Sequence, residues 1–215
     1  MDEKIATRDR ILQAAMVRIK HYGYSKTTMA EIAADCGMSP GNIYRFFEAK
    51  IDIAEAMARK HYSDHHGELS ALARRKDLGV SEKISSVFIS RLRDHYRTID
   101  QDEKIVEIAD VLARDRPVFT SEVLGQERVI IAALIQEGVD TGLFAPCDAN
   151  FVAEILQIAT VKFTFPRLFA NNPLPKLERE LRGVLGLIFH GLYIRPGDEN
   201  PHGRGRIDDA LANMS

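Results

Sequence analysis

Asn42, Tyr44 and Arg45 crowd three hydrogen-bonding side chains into one short stretch, directly behind Pro40 and Gly41, and Lys50 adds a cation just beyond. These residue types suit contact with a polyanion and with base edges. Amide, phenol and guanidinium groups reach donors and acceptors in a groove, and cations meet phosphates. Pro40, Gly41 and Asn42 keep the start of the stretch small, so the backbone itself can come close to a phosphate or a base. Unpaired N–H groups at a helix start favour an anion there.

Such side chains need a frame, and residues 28–50 supply one. Thr28 and Glu31 form a Thr-x-x-Glu capping box that starts a helix. Ile32, Ala33 and Cys36 share its apolar side, and Gly37 ends it in the left-handed conformation that glycine adopts most cheaply. Met38 fills the turn. Ser39 stands at the cap of a second helix with Pro40 at its first position, where a missing N–H costs nothing. Ile43, Phe46 and Phe47 pack this helix back on the first. Two short helices joined by a sharp turn have the helix-turn-helix spacing, with the second helix directed to the major groove.

The run Thr-Thr-x-x-x-Ile-Ala, Gly-x-Ser-x-Gly-x-Ile-Tyr-x-x-Phe and then Lys resembles the DNA-binding domain of TetR/AcrR-type transcriptional regulators, from about Thr7 to about Met57. The resemblance implies that Thr28 and Lys50 touch backbone phosphates, that Ser39, Gly41, Asn42 and Tyr44 contact bases or phosphates, and that Phe46 or Phe47 supports the fold. Many members carry a small or charged residue where this chain has Pro40.

The chain has 215 residues and a formal net charge of −2. The overall charge is not that of a strongly basic nucleic-acid binder, and residues 1–50 are only weakly basic. Helix-end hydrogen bonds therefore have to share the phosphate contact, with a moderate salt dependence. Cys36 and Cys147 lack the spacing of a disulfide or metal framework. With no secretion signal and no long uncharged apolar run, the expected compartment is the cytoplasm, with no membrane contact.

The expected fold is all-α, with about nine helices: a three-helix DNA-binding domain at 1–50, a larger helical effector-binding and dimerisation domain at 51–195, and a flexible tail at 196–215. The first helix runs from about Thr7 to His21, ended by Gly23. Long helices then follow at about 49–74, 81–98, 102–114, 117–140, 148–170 and 176–194. Asp148 caps the helix at 148–170 and Pro166 is expected to kink it. The motif Glu137-Gly138-x-x-x-Gly142-x-Phe144 resembles the matching helix end in TetR-type proteins.

The helices at about 148–170 and 176–194 carry more apolar surface than one face can bury, and Gly183, Gly186 and Gly191 permit close helix approach. This reads as a thick monomer core or as a homodimer interface. The resemblance favours the dimer. So does the geometry of reading a palindromic operator with two recognition helices about 34 Å apart.

By resemblance, the larger domain binds a small-molecule effector, here a largely apolar one, that respaces those helices. Candidate lining residues are Phe88, Leu92, His95, Ile108, Leu112, Phe119, Leu134, Gln157, Val161 and Thr164. The expected function is a ligand-responsive, homodimeric transcriptional repressor released from double-stranded DNA by the effector. No nucleophilic triad, phosphate loop or paired buried carboxylates stands out, so no enzyme activity, cofactor or metal is expected. The alternative is an all-α metal-binding protein or enzyme using His61, His65 and His66, since two His at i and i+4 can share a metal. A helical adaptor that has lost DNA binding is disfavoured by Tyr44 and Lys50.

Overall fold

The computed structural model describes residues 2–101, 104–169 and 171–193. These residues form α1 (Asp2–Tyr22), α2 (Met29–Asp35), α3 (Pro40–Ile43), α4 (Lys50–Ala73), α5 (Val80–Gln101), α6 (Ile105–Asp115), α7 (Pro117–Asp140), α8 (Ala149–Ala159), a 3₁₀ turn (Val161–Phe163), α9 (Pro166–Phe169) and α10 (Leu174–Leu192). The all-helical expectation holds, and the only β-type pairing among the described residues is one bridge between Phe144 and Tyr193. No described helix is long and apolar enough to cross a membrane. The tail expected at 196–215 lies outside the described residues.

Helix boundaries follow local chemistry. Gly23 and Gly37 end α1 and α2 with φ of 91° and 67°. After α2 the Met38 N–H donates to Ala33 O at 2.8 Å and the Gly37 N–H to Ala34 O at 2.9 Å, the paired bonds of a Schellman stop. Asp148 caps α8 by accepting from the N–H groups of Asn150 and Phe151.

The helix expected from Asp148 to about Ala170 is broken earlier than Pro166. α8 ends at Ala159, because the Thr160 hydroxyl back-bonds to Leu156 O at 2.7 Å and the next N–H groups take i→i+3 partners, as Phe163 does with Thr160 O. Pro166 opens α9 instead of kinking α8. The second hairpin helix is also shorter than its pattern implies: α3 has 4 residues and continues as i→i+3 turns through Arg45 and Phe46.

The chain separates into two compact units. One comprises the described residues of Met1–His65 and Arg97–Val123, the other those of His66–Tyr96 and Leu124–Ser215, so the division falls inside α4, α5 and α7. The core of the first unit gathers Ile11, Ala15 and Ile19 of α1, Ile32 and Ala33 of α2, Ile43 of α3 and Ile53 of α4, together with Ile108, Leu112 and Phe119 from α6 and α7. The second unit buries Phe88 and Leu92 of α5, Ile131 and Leu134 of α7, Leu156 of α8 and Leu181, Leu185 and Phe189 of α10.

In the second unit the Gly138 motif has a steric reason. A Cβ on Gly138 would stand 2.1 Å from the Phe144 ring. Gly142, at φ 72°, turns the chain back so that the Phe144 N–H donates to Gly138 O at 2.9 Å. Phe144 then stacks on Phe189, ring centroids 6.2 Å apart.

Candidate nucleic-acid interface

The hairpin is built from its caps outward. Thr28 is extended, its hydroxyl accepts from the Glu31 N–H, and its own N–H donates to the Glu31 carboxylate at 2.9 Å, completing the capping box. The Thr28 hydroxyl donates to the same carboxylate at 2.8 Å, and these bonds hold Glu31 below the usual carboxylate range. Arg18 of α1 grips Asp35 through Nε at 2.6 Å and Glu31 through Nη1 at 3.2 Å, which fastens α2 to α1.

Ser39 takes the cap position of α3, but its hydroxyl makes no capping bond, and Pro40 follows at the helix start. Ser39, Pro40, Gly41 and Arg45 are exposed and Asn42 is half-buried. Tyr44 is 53% exposed although it is a large aromatic. A Cβ on Gly41 would meet nothing within 4 Å, so packing does not require glycine there. Beneath this face Ile43 and Phe47 are buried.

Arg8 of α1 supports the face from below. Its Nη1 donates to Phe46 O at 2.7 Å, and its guanidinium lies 4.1 Å from the Phe47 ring centroid.

Lys50 sits differently from the outward cation of the sequence reading. Its Nζ donates to Tyr24 O at 2.6 Å and Thr27 O at 2.7 Å, and lies 4.2 Å from the Tyr24 ring centroid. The tight turn between α1 and α2 leaves these carbonyls without helical partners, and the ammonium satisfies them. Two of its three N–H bonds are thus engaged inside the fold. Burial pushes its pKa down.

The same turn is held from α6, which sequence reasoning missed. Glu107 accepts from the Ser25 N–H and from the Ser25 hydroxyl, and the Lys104 ammonium donates to His21 O. Arg116 pairs with Asp52 and Glu55 of α4. No local pattern signals contacts this distant in sequence.

The ten effector candidates are divided. Ile108, Leu112 and Phe119 belong to the core of the first unit, with the hairpin. Phe88, Leu92, His95, Leu134, Gln157, Val161 and Thr164 lie in the second. There His95 Nδ1 is 3.2 Å from Thr164 O. Gln157 accepts from Arg128 Nε at 3.0 Å and donates to Leu124 O at 2.9 Å. Val161 is 43% exposed.

Sequence reasoning also missed Arg91 and Glu127, a buried ion pair at 3.1 Å beside these residues. Their signal is a charge on the apolar stripe of α5 marked by Ile84, Val87, Phe88 and Leu92. Around His61, His65 and His66, no set of three or more His, Cys, Asp or Glu gathers to hold a metal among the described residues.

Proteins similar to this chain include transcriptional regulators. The solved structure of a TetR-family transcriptional regulator from Pectobacterium atrosepticum superposes with a TM-score of 0.70 at 18% identity, over 91% of this chain and 98% of that one. Thermus thermophilus FadR, a TetR-family transcriptional repressor solved in complex with lauroyl-CoA, gives 0.65 at 19% identity, over 91% and 100%. The HTH-type transcriptional repressor KstR2 of Mycolicibacterium smegmatis is 24% identical over 203 residues, 90% of this chain and 94% of its own length. Residues 11–57 match the family of bacterial regulatory proteins called tetR, and residues 81–185 match the tetracyclin repressor-like C-terminal domain. The hairpin and the helices after it thus point the same way, and the chain belongs to the TetR family of bacterial transcriptional regulators.

Proposed function

We propose that this chain is a cytoplasmic, homodimeric repressor that binds a palindromic operator and leaves it when a small molecule binds the region 51–195. The observation that carries the reading is the exposed face of α3, with Ser39, Pro40, Gly41, Asn42, Tyr44 and Arg45 standing on a buried base of Ile43 and Phe47. A 53% exposed tyrosine near a glycine that packing does not demand is available to a DNA groove. Thr28, exposed at the start of α2, adds a helix N-terminus, and the third N–H of Lys50 can reach a phosphate.

Pairing of two chains is supported by an apolar surface in the second unit. Ile158 is 61% exposed, Leu168 54%, Phe165 42% and Leu187 76%. Gly183, Gly186 and Gly191 lie on the exposed side of α10 with Leu187. A second copy would cover this surface by helix packing, which small residues allow at short distance. Binding of a small molecule is supported by the lauroyl-CoA held by the FadR relative, and the repressor reading by the names of both relatives.

A gel-shift titration on the DNA upstream of the chain's own gene tests the proposal. It expects a saturable complex that competitor DNA does not remove, with two chains per site. Absence of specific binding at every salt concentration overturns it.

A further inference from the structure

Inside the second unit, α5, α7 and the turn after α8 bring together the buried ion pair of Arg91 and Glu127, in an interior that also buries Lys83, Asp94, Gln157 and Thr160. The side chains of Arg91 and Glu127 are 4% and 7% exposed, with Arg91 Nε 3.1 Å from Glu127 Oε2. Arg91 Nη2 donates to Thr164 Oγ1 at 2.9 Å. The guanidinium carbon lies 5.4 Å from the Phe88 ring centroid. Arg91 Nη1 meets no acceptor among the described residues, and Arg91 Nε and Glu127 Oε2, though 3.1 Å apart, lack hydrogen-bond geometry; all three atoms are shielded from solvent. A buried charged donor left unmatched is costly, and native proteins resolve it with a bound oxygen.

The wall that carries Thr164 is also irregular. α8 gives way at Thr160 to a 3₁₀ turn, and the Thr164 N–H takes only the i→i+3 partner Val161 O. Such a segment moves more readily than a continuous helix, and this one borders the guanidinium.

We propose that Arg91 is the polar anchor of the effector site, and that it takes an uncharged carbonyl oxygen at one end of a largely apolar ligand: a ketone, ester, thioester or lactone. The inference rests on the reading of this region as effector-binding. The charge balance selects the class. Arg91 is already neutralised by Glu127, so a neutral carbonyl can take an open Nη1 donor, whereas a carboxylate would add an unbalanced buried charge. Phe88, about one turn before Arg91 on α5, and Leu92, next to it, offer the apolar contact for the rest of the ligand.

The probe is N-phenyl-1-naphthylamine, an apolar fluorophore without oxygen, displaced from the full-length protein by 2-undecanone or by decanoate. The ketone is expected to compete at least about tenfold more tightly than the anion, because the anion brings an unbalanced charge into the buried site. In the double variant Arg91→Met/Glu127→Leu, an apolar replacement of a buried pair that folds tolerate, the fluorophore keeps its affinity while the ketone competes about tenfold more weakly than against the native protein, the size of one hydrogen bond to a charged group.

Equal competition by ketone and anion in the native protein, or preference for the anion, overturns the proposal whether or not the variant folds. Unchanged competition by the ketone in a folded variant also overturns it. Both results leave the effector domain in place, because the fluorophore is still bound. Failure of the native protein to take up the fluorophore or the ketone overturns the effector reading itself, and this inference with it.

Discussion

Glu107 on α6 accepts two hydrogen bonds from Ser25, one from its N–H and one from its hydroxyl, each 3.0 Å long and spanning 82 residues of sequence. The carboxylate also fills the space where a side chain on Gly23 would sit, 2.9 Å from the position a Cβ would take there. The turn between α1 and α2 is therefore shaped by a residue of α6, and hydrogen bonding to Ser25 holds the Glu107 pKa down.

Glu107→Gln is expected to lower the melting temperature at pH 7 by about 2–4 °C, the scale of one modest interaction in a chain of this size. A depressed folded pKa means that the stabilisation is complete above the unfolded value of about 4.3 and fades as pH falls through the folded value. The gap between native and Glu107→Gln proteins, followed by urea midpoints from pH 7 downward, is expected to close on acidification. A gap that is constant with pH would show that the charge on Glu107 contributes nothing.

Lys50 and Arg45 are expected to separate in salt titrations of operator binding. Arg45→Ala removes an exposed cation and flattens the salt slope by about one unit. Lys50→Met strips the donor from Tyr24 O and Thr27 O, so it lowers thermal stability and operator affinity together while changing the slope less than Arg45→Ala does. Equal slope changes in the two variants would mean that Lys50 gives its charge to DNA.

Tyr44→Ala removes a half-exposed ring. Folding stability is expected to stay within about 0.5 kcal/mol of the native value, as for an ordinary surface change. Operator affinity in a gel shift is expected to fall at least about tenfold. Normal binding would place the reading helix elsewhere.

Gly138→Ala forces a methyl group against the Phe144 ring. Overpacking of this kind costs about 1–3 kcal/mol, measurable as a lower urea midpoint. A second change, Phe144→Leu, is expected to recover part of the loss by opening space, and additivity of the two would argue that the ring is not the obstacle.

Leu187→Glu tests the exposed face of α10. The side chain is 76% exposed in the single chain, so a lone subunit tolerates the charge, whereas a dimer that buries it does not. Sedimentation is expected to show monomers with native helical content, and operator binding is expected to weaken with the loss of the pair. A native-like dimer would place the interface on another face.

The hairpin is legible in the sequence because its signals are local. Thr28 and Glu31, Gly37, and Ser39 with Pro40 each act on the backbone within a few residues, and the caps stand where the letters put them. The break in α8 is hidden because Thr160 is an ordinary helix residue by type, while Pro166 is a louder stop that here opens a helix. The inward contacts of Lys50 are hidden for a different reason: the carbonyls it serves belong to a turn more than twenty residues earlier, and no pattern in its own helix reports them. Ile108, Leu112 and Phe119 have the apolar spacing of a pocket wall, yet spacing alone does not say which core a helix face joins.

The core beneath the hairpin draws on Ile108, Leu112 and Phe119 as well as on α1 to α4. During synthesis the N-terminal helices leave the ribosome long before these three residues exist, so the hairpin waits with part of its apolar floor uncovered until more than half of the chain has emerged. The segment that would grip DNA is translated early, yet its apolar floor is complete only once Phe119 has been made.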